Sequence, residues 1–410
     1  MQFRHAPANM VPESIIEEWA MSGHGHVDAP RRRPLEKSPG VYGSLGVKHV
    51  INATGTFTDL GGSIMPPEVV AAWTEAARHF VDMVELQERV GARLAELVGA
   101  EAAMVTTGAA GALLLGTAAA VTRGDRKLIA RLPDTTGMKY EVILQKSHHT
   151  CYDSQLTDVG VKLIDVQTMA DVERAVNDRT ALLFFMNIAE PDGNIGREQW
   201  VALARKHKLP ALLDAAADTP PVCRLSEYTR MGFDLVTFSG GKAIRGPNDT
   251  GMLLGRKDLI AAARRNASPH EGTIGRMLKV GKEDMIALLA AVERFVRLDH
   301  DAEWRVCEGR LDVIANAIKG IPTVECERIV PAIANHVPHM LVDWDVRRLK
   351  ITPEEVTRAL AAGDPPIRIG RVPGTGTKGI LIAVHTLLDG EEQIVGDRLV
   401  ALLQSSQESP

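Results

Sequence analysis

Aromatic side chains are scarce, with Phe, Trp and Tyr together making up 4% of the 410 residues. So few flat faces argue against a base-stacking surface for nucleic acid. Basic clusters are scarce too. Beyond Arg31-Arg32-Arg33, in a Pro-flanked stretch, there is no basic block, and the net charge is −5, so an electrostatic nucleic-acid footprint is not expected. Only four cysteines occur, Cys151, Cys223, Cys307 and Cys326, and none forms a C-x-x-C pair. That excludes a disulfide framework or a cysteine-based zinc site and predicts reduced thiols and no metal. Long apolar runs are lacking. The longest, Ala109 to Val121, is rich in Ala and Gly and too short to cross a bilayer. The N-terminus has no basic segment leading into an apolar core, so no signal peptide and a cytoplasmic location are expected.

What is present is a globular chain, 45% hydrophobic and 24% charged. This suits one large or two moderate domains. From Glu141 to Phe238, short apolar runs alternate with helix-period segments, which predicts a mostly parallel sheet covered by helices on both faces. The expected division is an N-terminal arm at 1–45, a large domain at 46–285 and a small α/β domain at 286–410, joined by a helix at 284–299. In the arm, 13–21 has the pattern of a short amphipathic helix, and 23–40 reads as an extended segment.

The most informative stretch runs from Asp234 to Gly255. Two apolar runs flank a polar Gly-rich turn that holds one lysine, Lys242, preceded by Gly240-Gly241. Glycine lets backbone approach a ligand without a Cβ clash. A lysine whose surroundings lower its pKa can form a Schiff base with an aldehyde. One strand earlier, Leu209 to Asp214 reads as a buried strand ending in an acid. In open α/β sheets, ligands lie at such strand ends. Pyridoxal phosphate needs a lysine, a carboxylate for its ring nitrogen and a phosphate cradle. Lys242 and Asp214 supply the first two. The third is expected at Thr107-Gly108-Ala109, where a short strand runs into a small-residue helix, because exposed N–H groups at a helix start hold anions. That segment has no P-loop lysine, which argues against a nucleoside triphosphate.

After the strand 141–145 comes a loop with His148 and His149. An imidazole there would stack on a pyridine ring, and His149 is the favoured member of the pair. Asn187 stands at the end of the next strand but one, as a ligand contact or a turn residue. Thr54 closes an early strand and is a substrate-side candidate. Arg276 and Lys279, in a Gly-rich loop, and Arg368, among apolar strand residues, are candidates for holding an anionic substrate group.

These residues carry a family resemblance. The segments Val50–Thr56, Thr107–Ala110, Leu213–Ala216, Phe238–Pro247 and Ile274–Lys282 resemble fold-type I pyridoxal-phosphate enzymes of the selenocysteine synthase-like group. Within it the chain looks closest to the D-glucosaminate-6-phosphate ammonia-lyase branch. The resemblance implies a cofactor carried on Lys242, an Asp214 contact to the ring nitrogen, and a seven-stranded, mostly parallel sheet with a smaller C-terminal α/β domain. It also implies cofactor contacts from Thr107, Gly108, Ala109, Ala216 and Ser239. A homodimer or larger homo-oligomer with active sites between subunits is implied as well. The expected activity is that of a lyase releasing ammonia and a 2-oxo acid from a hydroxylated, possibly phosphorylated amino acid. Racemase, aldolase or aminotransferase chemistry, and selenium transfer to seryl-tRNA, remain alternatives.

Overall fold

The computed structural model describes residues 40–370 and 379–405. The sequence readings at 1–39 lie outside the described residues. Strand β1 (Ile51–Ala53) precedes the main sheet. That sheet comprises β2 (Ala102–Thr107), β3 (Glu141–Gln145), β4 (Lys162–Val166), β5 (Thr180–Met186), β6 (Ala211–Asp214), β7 (Leu235–Ser239) and β8 (Thr250–Gly255). Their spatial order is β2-β8-β7-β6-β5-β3-β4. Strands β3 to β7 pair in parallel, and β8 is antiparallel to both of its neighbours.

The reason for this layering is legible in the strands. All seven residues of β5 are buried, as expected of a parallel strand covered on both faces. One face packs on a cluster containing Trp200, Phe185 and Leu288, the other on a cluster containing Leu113, Leu115 and Phe184. The helix Gly108–Thr122 supplies the second face. Its small residues allow close approach: a Cβ at Gly116 would stand 3.4 Å from Leu235. The helix Met83–Val98 is capped by the Asp82 carboxylate, which accepts from the N–H groups of Val84 and Glu85, and closed by Gly99 at φ +67°. Such a cap contributes about 1 kcal/mol.

A smaller unit follows, with β9 (Glu325–Ile329), β10 (His339–Asp343), β11 (Ile367–Ile369) and β12 (Ile380–Ala383). Thr352 and Glu355 form the expected capping box on the helix Pro353–Ala362. Ile51 and Ala53 are buried in this unit's core, because β1 pairs in parallel with β11. The chain therefore touches the small unit before it builds the large one. The helix Lys282–Arg297 is built into the large core. There Arg294 pairs with Glu68 at 2.8 Å and Asp284 accepts from the Trp73 indole N–H at 2.8 Å.

Candidate active site

Strands β6 and β7 end, and the antiparallel β8 begins, around one spot. Asp214, the last residue of β6, is 6% exposed. One of its oxygens accepts the Ala216 N–H at 2.9 Å. Ser239 ends β7, and its N–H donates to the Ala216 carbonyl at 3.2 Å. Across β7 and β8, Ser239 pairs with Gly251. Gly251 in turn lies flat against the start of the helix Gly108–Thr122: a Cβ there would stand 2.3 Å from the Gly108 carbonyl carbon and 2.7 Å from the Ala109 nitrogen. Asp214, Ala216, Ser239, Gly108 and Ala109 thus form one continuous surface.

The lysine turn folds over this surface. Its base is tied by Gly240 N–H to the Thr250 carbonyl at 2.9 Å and Gly246 N–H to the Gly240 carbonyl at 2.8 Å. An early segment clasps it from outside. Ser63 donates to the Gly241 carbonyl at 2.8 Å, and Arg245 Nε donates to the Ile64 carbonyl at 3.0 Å. Thr54, further upstream, follows β1 and donates its N–H to Asn52 Oδ1 at 3.1 Å.

Electrostatics set the two central groups against each other. Burial lowers the pKa of Lys242, while the charges of Asp214 and Asp218 oppose the shift. Burial pushes the Asp214 carboxyl up to about 6; its Ala216 hydrogen bond and Lys242 pull it down, and Asp218 adds to the rise. Both shifts follow from removing charges from water. Each group feels the other, so the lysine and the acid share one site.

This arrangement fits pyridoxal phosphate. The 15-residue helix Gly108–Thr122 offers the unbonded N–H groups of its first turn. Gly108 takes φ +63°, and the space a Cβ would occupy there is open. Thr107 Oγ1 at that helix start is buried without a partner, as are Thr237 Oγ1 on β7 and Asn187 Oδ1 beyond β5. Unpaired buried polar atoms are rare in native proteins. A polar ligand along these strand ends would meet them.

The close seat of Gly251 makes a testable point. Gly251→Ala forces a methyl group into the Gly108–Ala109 backbone. Overpacking of this kind costs about 1–3 kcal/mol. We expect a lower melting temperature and at least a tenfold loss of pyridoxal phosphate affinity in an absorbance titration, whereas unchanged affinity would remove the helix start from the site.

Other sequence candidates sit elsewhere. His149 is turned outward, its two ring nitrogens held by Asp153 at 2.5 Å and Asp165 of β4 at 2.7 Å. Burial alone would lower its pKa, but these two carboxylates outweigh burial and raise it. Strand β4 is the sheet edge, three strands from β6, so the ring contact expected of His149 is not where the structure places it. A two-carboxylate clamp on a half-exposed ring gives the physical reason. His148 is fully buried instead. Its Nδ1 accepts the Met186 N–H at 3.2 Å, its ring packs edge-on to Phe185, and burial lowers its pKa to about 4. The residue of this loop that feels the Asp214 charge is Tyr152.

Arg276 and Lys279 are exposed. Their loop nevertheless lies by the start of the helix Gly108–Thr122, since a Cβ at Gly111 would meet Leu278 at 3.7 Å. Arg368 is exposed on β11, opposite Asn52. Sequence reasoning missed Asp218, which is 2% exposed, accepts from Tyr228 at 2.8 Å and from Asn187 at 2.5 Å, and acts on Lys242. It also missed Arg224, which donates to the Asp218 carbonyl and to the carbonyls of Ala332 and Ile333 in the small unit. Nothing in spacing alone distinguishes Asp218 from a turn aspartate.

Comparison with known proteins places these residues in context. The family model of L-seryl-tRNA selenium transferase matches residues 50–319. A D-glucosaminate-6-phosphate ammonia lyase of Salmonella typhimurium is 34% identical over 295 residues, covering 69% of this chain and 76% of that protein. A 5'-C-glycyluridine monooxygenase-decarboxylase of a Streptomyces species is 30% identical, covering 80% of this chain and 83% of that protein. Among solved structures, a D-glucosaminate-6-phosphate ammonia-lyase superposes with a TM-score of 0.78 at 28% identity, covering 90% of this chain and all of the other. A serine palmitoyltransferase solved with pyridoxal phosphate, at 14% identity and TM-score 0.55, shares the fold.

Proposed function

The chain belongs to the L-seryl-tRNA selenium transferase family, and from that premise we propose that it is a pyridoxal-phosphate-dependent ammonia-lyase acting on a hydroxylated, phosphorylated amino acid. The observation that carries this is the coupled pair Lys242 and Asp214 facing the helix start at Gly108, in a chain related along most of its length to D-glucosaminate-6-phosphate ammonia lyase.

When bound, pyridoxal phosphate supplies an aldehyde that takes up an amine and a ring that withdraws electrons from the bonds at Cα. The protein's residues do the rest. The first-turn N–H groups of Gly108 and Ala109, with the Thr107 and Ser239 hydroxyls, would hold the phosphate. Ala216 closes the ring's side of the cradle. Asp214 holds a proton on the ring nitrogen. Burial lowers the pKa of Lys242, which favours the neutral form that a base needs. With the cofactor bound, Lys242 would remove the Cα proton, and a proton would have to reach the β-hydroxyl as it leaves as water. Water then adds back as ammonia departs, so the net products are a 2-oxo acid and ammonia. Arg276 and Lys279 would attract anionic substrate, with Thr54 and Arg368 read as further substrate contacts.

Further support bears on assembly and place. Phe80 is fully exposed, and Met277, beside Arg276, is 75% exposed. Exposed large apolar side chains of this kind fit burial against a second copy, so we read the enzyme as a homo-oligomer, at least a dimer, with Arg276 and Lys279 near the subunit boundary. The four cysteines are unpaired with one another, which supports a cytoplasmic location. Among the described residues, no helix is long and apolar enough to cross a membrane.

The test is an assay with D-glucosaminate 6-phosphate and its unphosphorylated form, reading ammonia, 2-oxo acid and carbon dioxide. Equimolar ammonia and 2-oxo acid from the phosphorylated compound is the expected result. Carbon dioxide release would favour decarboxylation, the reading that the Streptomyces relative supports, and would overturn the lyase.

A further inference from the structure

Asn187 follows Met186, the last residue of β5, and Met186 pairs in register with Asp214 on β6. The Asn187 side chain is fully buried. The two ends of its amide are treated differently. Nδ2 donates to Asp218 Oδ2 at 2.5 Å and to the Tyr228 hydroxyl at 3.1 Å, so both of its protons are used. Oδ1 is shut off from solvent and has no partner. A buried polar network that served packing alone would satisfy both ends, because an unmade hydrogen bond in the interior is costly.

Asp218 sets the orientation of this amide. Its carboxylate is buried and also accepts the Tyr228 hydroxyl at 2.8 Å. Tyr228 keeps its proton, since burial and the Asp218 charge both hold its pKa above the ordinary value. An ionised carboxylate only accepts. The edge of Asn187 that faces it is therefore the NH2, and the carbonyl oxygen points away. Two cations flank the pair. Arg197 lies over the Tyr228 ring at 5.8 Å, and Arg224 donates to the Asp218 carbonyl at 3.1 Å. The Asp218 N–H donates to the Ala215 carbonyl at 3.1 Å, which ties this acid to the loop leaving Asp214. The chemistry assigned to Lys242 and Asp214 leaves this second buried carboxylate without a task.

We propose that Asp218 is a positioning residue: it locks the Asn187 amide so that Oδ1, and not the NH2, is offered to a hydroxyl of the ligand bound beside Asp214. This rests on the pyridoxal-phosphate reading above. A bare carbonyl oxygen accepts from an O–H and repels an oxyanion, so the site selects the protonated form of that hydroxyl. Pyridoxal phosphate carries one hydroxyl on its ring, and a hydroxylated substrate carries others. Without the Asp218 charge, nothing would stop the amide from turning over and offering its NH2 instead.

Titration of the cofactor-stripped enzyme with pyridoxal phosphate, followed by absorbance and paired with substrate KM, tests this. Asp218→Asn should bind the cofactor at least about tenfold more weakly than the wild type. Its absorption maximum should also be displaced, which a loss of fold stability alone does not produce. Adding Asn187→Asp exchanges the two side chains: one amide still faces one carboxylate, and an acceptor oxygen again points away. This double variant should recover most of the affinity and the wild-type maximum. Tyr228→Phe removes one of the two partners of Nδ2, should lose about threefold, and serves if Asp218→Asn fails to fold. Unchanged cofactor affinity with a tenfold rise in KM assigns the hydroxyl to the substrate. Equal affinity, absorption and KM in the wild type and the single variants overturns the positioning role, as does a double variant no better than Asp218→Asn. A wild type that takes up no pyridoxal phosphate would instead overturn the cofactor reading.

Discussion

Replacing Lys242 with alanine will leave a folded protein whose turnover falls at least about a thousandfold. On the proposed reading two roles end together: the amine that would hold the cofactor is lost, and so is the base for the Cα proton, a role that alone contributes about 10²–10⁴-fold in enzymes. The fold survives because the turn is tied through backbone groups at Gly240, Gly246 and Thr250 rather than through the lysine side chain. Burial works against a charge on Lys242, so removing the amine does not strip away a stabilising ion. The check is kcat on the best substrate beside a thermal melt. An intact melt with near-normal kcat would take Lys242 out of the chemistry.

Asp214→Asn is the second large effect, and it separates stability from function. A carboxyl raised by burial costs stability wherever the unfolded chain would ionise it: the cost sets in above its ordinary value and is complete above the raised one. The sign follows: the penalty is present above about pH 6, where Asp214 carries its charge, and has gone below its ordinary value near 4. Moving this carboxyl from its ordinary value to about 6 corresponds to about 3 kcal/mol as an upper bound. The cofactor-free Asn variant should therefore melt no lower than the parent at pH 8, and higher if the full penalty applies. Near pH 4 that advantage disappears. Catalysis moves the other way. An amide cannot hold a proton on the ring nitrogen as an anion does, so kcat should fall by at least about 10²-fold. A variant that melts lower at pH 8 and keeps its activity would contradict both halves.

Much of this site was legible in residue order. Two apolar runs around Gly240-Gly241-Lys242 announced a turn between β7 and β8, and the buried run ending at Asp214 announced a neighbouring strand end. Small residues after Thr107 announced a helix packed close to a sheet. These are local patterns, and local physics produces them. Less was legible where the answer depends on distant chain. Choosing between His148 and His149 requires knowing that Asp165 stands on the adjacent edge strand, since that carboxylate turns His149 outward. Asp218 acquires meaning only through its tertiary neighbours, Tyr228 and Asn187. The pairing of β1 with β11 was hidden for the same reason, because two three-residue strands carry no pattern that points to one another.

The coupling of the small unit to the Asp214 loop follows from the same long-range contacts. The Asn335 N–H donates to the Ala217 carbonyl at 2.8 Å, and Arg224 bridges Asp218 to Ala332 and Ile333. The loop that positions the acid is therefore held by both units.

The account's central claim is that one amine, on Lys242, carries the cofactor beside one buried acid. Borohydride treatment of the purified yellow protein, followed by digestion and mass spectrometry, tests it most directly. The account predicts the reduced cofactor's added mass on the peptide containing Lys242, and on no other. An added mass on a different lysine, or a colourless protein with no added mass at all, would contradict it.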